Sequence, residues 1–160
     1  MTQFNLLKND PLTTTNFFVE IDSAFVTNVT SVDGLNVEIE VADFNERAQK
    51  GQLVQHKVMS KPKWNGELTM KRIAPLDVAN DDIWKWFNEL RTKGMVVNNR
   101  SKPRRHGSIV VYDSALTETA RWNFYDAWPS KIEFASLEAS ANDVATETIT
   151  LQYERLERKK

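Results

Sequence analysis

The chain has 160 residues, with 21 basic side chains against 22 acidic ones and a formal net charge of -1. That length suits one domain, 1–160, able to take roughly 70% of its unfolded surface out of water without staples. The absence of cysteine excludes disulfides and thiolate metal sites, and the charge balance argues against whole-surface binding to nucleic acid or anionic membrane.

The opening MTQFNLLKND has no apolar run of signal-peptide length, and nowhere do about 18 apolar residues follow one another. No membrane anchor is expected, synthesis in the cytoplasm is, and the sequon at Asn28-Val29-Thr30 reads as chance. Residues 1–16 form an N-terminal loop marked by Asp10-Pro11 and Thr13-Thr14-Thr15-Asn16. Phe17 to Asp22 alternates as a first strand, Phe25 to Val32 follows as a weaker second, and Asp33-Gly34 supplies a turn.

The clearest period of two comes next. Leu35, Val37, Ile39 and Val41 face one way, Asn36, Glu38, Glu40 and Ala42 the other, which predicts a half-buried antiparallel strand. Paired Glu38 and Glu40 are the kind of carboxylates a cation site uses, but they are also what a wet strand face carries. From Asn45 to Lys63 the chain is polar without a firm period, a length that in a compact domain marks a functional or disordered segment.

Alternation resumes over Trp64 to Ile73, with Trp64, Leu68 and Met70 on one face. Asp81 to Lys93 is a helix: Asn80 or Asp81 caps it, Asp82 and the pair Arg91 and Lys93 suit its dipole, and Gly94 ends it. Its apolar stripe runs through Ile83, Trp84, Phe87 and Leu90, with Trp86 to one side. This stripe fits a helix laid over a sheet face or barrel mouth better than a cofactor box. Asn98 to His106, NNRSKPRRH, is a basic loop without the aromatics that a single-strand nucleic-acid platform needs; it reads as solvated, or as a subunit contact or lumen-facing charge.

Gly107 to Asp113 and Ala120 to Tyr125 are strands. Trp128-Pro129 is a corner at which one strand must stop and another start, since proline lacks an amide hydrogen and pushes its predecessor toward extended backbone. In the closing strand Ala145, Ile149, Leu151 and Tyr153 share a face with Glu147, which if buried needs an Arg, a Lys or backbone amides as partner. Residues 154–160 alternate in charge and are expected to fray. His56 and His106 are the only imidazoles and lie far apart, and no nucleophile elbow, phosphate loop, zinc helix or calcium loop is present. No enzyme activity, cofactor or metal is expected. The core and corner residues are Trp64, Trp84, Phe87, Trp122, Trp128 and Pro129. The pattern predicts seven or eight strands in a mainly antiparallel two-sheet sandwich or barrel, with one flanking helix after the fourth or fifth strand.

Several stretches resemble the tail-tube family of contractile phage tails and phage-tail-like injection systems. These are Trp122, Phe124, Ala127, Trp128 and Pro129, Ser140 to Asp143, and the strand Val144 to Ile149. Val32-Asp33-Gly34-Leu35 and Gly66 to Arg72 are similar to that family too, whereas Ser60-Lys61-Pro62 stands where it tends to have a Pro-Gly step. The resemblance implies a tail-tube-like fold in which 45–63 is an extended arm packed on a neighbouring subunit. It also implies hexameric rings stacked into a tube, surrounded by a sheath protein, standing on baseplate and spike proteins, and passing cargo or DNA. On that implication Asp33, Gly34, Gln52, His56, Met59, Arg104, Arg105 and Glu147 are the expected subunit contacts. Two rivals stay open: a hexameric effector carrier of a type VI-like secretion system, and a monomeric nucleic-acid-binding module using the loop NNRSKPRRH, whose test is charge reversal of Arg104 and Arg105.

Overall fold

A computed structural model describes residues 16–26, 28–64, 66–93, 103–140 and 142–160. Ten strands and one α-helix follow in the order β1 (Phe17–Ile21), β2 (Ala24–Val26), β3 (Val29–Asp33), β4 (Val37–Arg47), β5 (Leu53–Trp64), β6 (Glu67–Ile73), α1 (Asp82–Lys93), β7 (Arg105–Tyr112), β8 (Glu118–Phe134), β9 (Thr146–Gln152) and β10 (Arg155–Arg158). Every pairing is antiparallel. Eight strands form one sheet: seven follow the path β2-β1-β7-β8-β9-β6-β3 and β10 is added to β8, while β4 and β5 pair only with each other. The path's end strands, β2 and β3, are consecutive in the chain and two residues apart, so it curls back on itself into the expected sandwich or barrel.

The hairpin β1–β2 turns on Asp22 and Ser23, both at positive φ (49° and 66°), the signature of a tight two-residue turn matched to strand twist. Asn28, also at positive φ (61°), breaks the expected second strand into β2 and β3. Gly34 enters the arm at φ 100°, where a Cβ would collide with the Glu67 carbonyl oxygen. Within β7, Gly107 lies under the Phe124 ring, and a Cβ there would also stand 2.5 Å from the Glu20 carbonyl oxygen.

The Trp128-Pro129 corner differs from its prediction. β8 does not stop there; it runs on for 17 residues, leaving β7 and β10 and taking β9 as its neighbour. Register shifts on either side of the pair, together with positive φ at Asp126 (53°), bend the strand. Bulges of this kind let one strand pass between two sheets. Pro129 is buried opposite Leu151, and Trp128 is half-buried with the Arg104 guanidinium 4.8 Å from its ring centre.

One core joins the two halves: Val19, Ile109, Phe124 and Leu156 meet Leu68, Met70, Ile149 and Leu151, and Ile83 and Trp86 of α1 close it. The helix is rotated from its predicted stripe, for Trp86 is 1% exposed while Trp84, Phe87 and Leu90 are half-buried. Burying Ile83 and Trp86 stabilises the helix on the sheet by about 1.5–3 kcal/mol each. The Trp86 indole donates to the Pro103 carbonyl at 2.6 Å, so its one polar atom is satisfied. The tail also differs: Leu156 is buried, and Arg155 and Arg158 lie over the Tyr125 and Trp122 rings at 4.3 and 5.2 Å. Residues 154–160 therefore contain a strand, not a frayed end. Gly94, Val96-Val97, most of the loop 98–106, the N-terminal loop to residue 15 and the Trp64 side chain lie outside the described residues.

Candidate assembly surface

β4 and β5 make a two-stranded arm of 11 and 12 residues, about 35 Å long at the usual rise of a strand. The polar stretch 45–63 is thus half of a hairpin, its tip closed by Ala48 N–H to Gln52 O at 2.9 Å and by positive φ at Lys50 and Gly51. Its lack of alternation reflects charged pairs such as Asp43 opposite Lys57. The period of two over Val37 to Val41 did predict a strand, but not a half-buried one, because every residue from 37 to 63 is exposed. Val41 is 62% and Met59 76% exposed. A lone two-stranded ribbon is marginal in water, and contiguous exposed apolar residues mark an interaction surface.

Where the arm's neighbour β6 meets the helix, a buried charge cluster fixes the body. Arg72 points inward from β6 and is 2% exposed; opposite it on β9 stands Glu147, 1% exposed. Arg72 Nε donates to Glu147 Oε1 at 2.6 Å, and its two terminal nitrogens donate to both oxygens of Asp81 at 2.8 and 2.7 Å. Asp81 also caps α1 by accepting from the Trp84 amide at 2.9 Å, and the Trp84 indole donates to Glu147 at 3.2 Å. Burial alone would lower the Arg72 pKa and raise that of Asp81, but their mutual hydrogen bonds and charges outweigh it, holding Arg72 above and Asp81 below the ordinary value. Glu147 thus has the arginine partner its position demanded, within its own subunit. The expected contact between Glu147 and a neighbour is corrected by that burial.

The other expected contacts scatter. Asp33 and Gly34 sit where β3 gives way to the arm, and Gln52, His56 and Met59 are on the arm itself, with His56 stacked on Phe44 (ring centres 5.1 Å apart) and 3.4 Å from Glu46. Arg104 is paired with Glu154, and Arg105 lies 3.4 Å from Asp22 and 4.9 Å above Trp86. Both arginines pair within the subunit while their side chains stay 29% and 30% exposed. Glu40 is exposed and 3.8 Å from Lys63, as on a wet strand face. A cleft of about 390 Å³ between the β1–β2 turn and α1 holds the ion pairs Arg72–Asp81 and Arg105–Asp22. Among the described residues no three His, Cys, Asp or Glu side chains gather as a metal site.

One surface has no single-strand periodicity to announce it. The bonds from Ala74 N–H to Ala145 O (3.0 Å) and Ala135 N–H to Thr146 O (2.9 Å) hold the β8–β9 loop against the segment after β6, and these two loops and the end of β8 expose Leu76, Leu137, Val144 and Phe134. The signal in the sequence was four large apolar residues in otherwise turn-like segments.

Residues 13–157 match the family model of the T4-like virus tail tube protein gp19. The fold is similar to solved chains described as the sheath-tube complex of an extracellular contractile injection system, PVC, in the extended state (TM-score 0.72, 19% identity, 99% of this chain and 98% of that one). It is similar also to the sheath/tube terminator of that system (0.75, 19%, 96% and 100%) and to the anti-feeding prophage tube-terminating cap (0.71, 19%, 99% and 99%). No curated protein matches the sequence.

Proposed function

The chain belongs to the T4-like virus tail tube family, so it is a structural, non-enzymatic tube subunit of a phage tail or contractile injection particle, and we propose how it assembles. Copies close into hexameric rings, the rings stack into a hollow tube, and a contractile sheath surrounds that tube on a baseplate and spike. Sheath shortening drives the tube through a target envelope, and cargo or DNA passes along the bore. Assembly takes place in the cytoplasm, and the particle acts outside it. The observation that carries this reading is the arm, a two-stranded ribbon whose apolar residues are exposed along its whole length and offer another chain a surface to bury. Subunits joined head to tail by such a heterologous contact form a ring where the rotation closes. Met59, His56 and Gln52 on the arm and the Asp33-Gly34 turn at its root are the contacts proposed within and between rings; stacking draws on Arg104 and Arg105.

Electron microscopy of the purified protein tests the proposal. Long filaments of uniform bore are expected. Free rings that never stack would favour the type VI-like carrier, and a lone subunit at high concentration would overturn self-assembly.

A further inference from the structure

The register of the arm places its apolar residues on two different faces. Cross-strand partners share a face, and Val37, Ile39 and Val41 stand opposite Trp64, Pro62 and Met59. Near the body, then, one face of the ribbon is apolar, while Glu38, Glu40 and Lys63 occupy the other. Beyond Val41 the pattern inverts. Ala42, Phe44 and Glu46 stand opposite Val58, His56 and Val54 on the second face, while Asp43, Asn45 and Arg47 stand opposite Lys57, Gln55 and Leu53 on the first. The change falls beside a bulge, where two steps from Ile39 to Val41 on β4 match three from Pro62 to Met59 on β5. The Lys63–Glu40 pair (3.8 Å) and the Phe44–His56 stack (5.1 Å) lie on the same face at different heights, as this division requires.

We infer that each arm is held between two other copies of this chain, one seated on the inner apolar field (Ile39, Val41, Met59) and a different one on the outer field (Phe44, Val54, Val58). A surface laid along either face alone would bury charged residues over half its length, which is costly. Both halves need cover, since Val41 is 62% and Phe44 50% exposed. The body of the same chain offers the complementary surface at Leu76, Phe134, Leu137 and Val144, so a further copy is a sufficient occupant. An arm gripped in this way ties three subunits together.

This rests on the self-assembly proposed above, and the test separates the two. A photo-crosslinking residue is placed at Val41 or at Phe44, the assembled particles are irradiated, and the joined peptides are mapped by mass spectrometry. Two non-overlapping target segments, both from other copies, are expected. Capture of one common segment from both positions would show that strand twist brings the two fields to a single partner, and would overturn the inference while leaving the tube intact. Wild-type protein that forms neither rings nor filaments would overturn the assembly proposal itself, and this inference with it. Val41→Lys and Phe44→Lys give an independent readout. Each is expected to melt like wild type and to stop assembly, the two at species of different mass; arrest of both at the same species counts against two partners.

Discussion

Replacing Glu147 by alanine removes the Arg72 Nε bond at 2.6 Å and the Trp84 indole bond at 3.2 Å, and leaves a guanidinium that is 2% exposed with Asp81 as its remaining partner. Breaking a buried pair by deleting one member costs about 3–5 kcal/mol, and the bidentate bond to Asp81 keeps the expected loss near the lower end, ~3 kcal/mol. For a chain of this size that is roughly 6–12 °C in melting temperature. The assay is urea denaturation of subunits kept dilute enough to stay apart, with the slope unchanged and the midpoint lowered. Glu133→Ala is the control, since its bond to Lys131 is exposed on both sides and such pairs contribute no more than about 1 kcal/mol. Replacing both members, Arg72→Met with Glu147→Leu, should cost less than Glu147→Ala alone, because no buried charge is left unmatched there. A Glu147→Ala loss below ~1 kcal/mol, or a double variant worse than the single one, would refute the account of this cluster.

Other outcomes follow from the same geometry. Asp81 has a folded pKa below its unfolded value, so its contribution is complete above about pH 4 and disappears as pH falls through the lower folded value. Thermal melts of Asp81→Asn should accordingly start lower near neutral pH and fall less than wild type on acidification. Gly107→Ala forces a methyl against the Phe124 ring and the Glu20 carbonyl, and overpacking of this kind costs about 1–3 kcal/mol or more; calorimetry should show that loss as a lowered melting temperature. Val58→Lys lies on an exposed strand, so it should leave subunit stability within ~0.5 kcal/mol yet abolish filaments seen by electron microscopy. Charge reversal at Arg104 and Arg105 should lower the melting temperature through loss of the contacts to Glu154 and Asp22, with no salt-dependent gel shift in either form.

Local chemistry determined much of this molecule in advance. Period-two runs predicted β1, the start of β4, β6 and β9, Asp81 and the dipole-matched charges predicted α1, and the awkward register of Glu147 predicted a buried partner, because each of these signals acts between residues close in the chain. Which cation that partner would be, Arg72 across a strand pair 75 residues away, only the tertiary structure decided. It also decided that Trp86 and not Trp84 turns inward, that Leu156 draws a charged tail into β10, and that Trp128-Pro129 bends a strand instead of ending it. In each case the outcome depends on which distant surface is left open to be filled, and periodicity carries no record of that. The arm shows the limit most plainly: alternation says which residues share a face, but whether a face meets core, solvent or another copy is set by what the rest of the fold leaves uncovered.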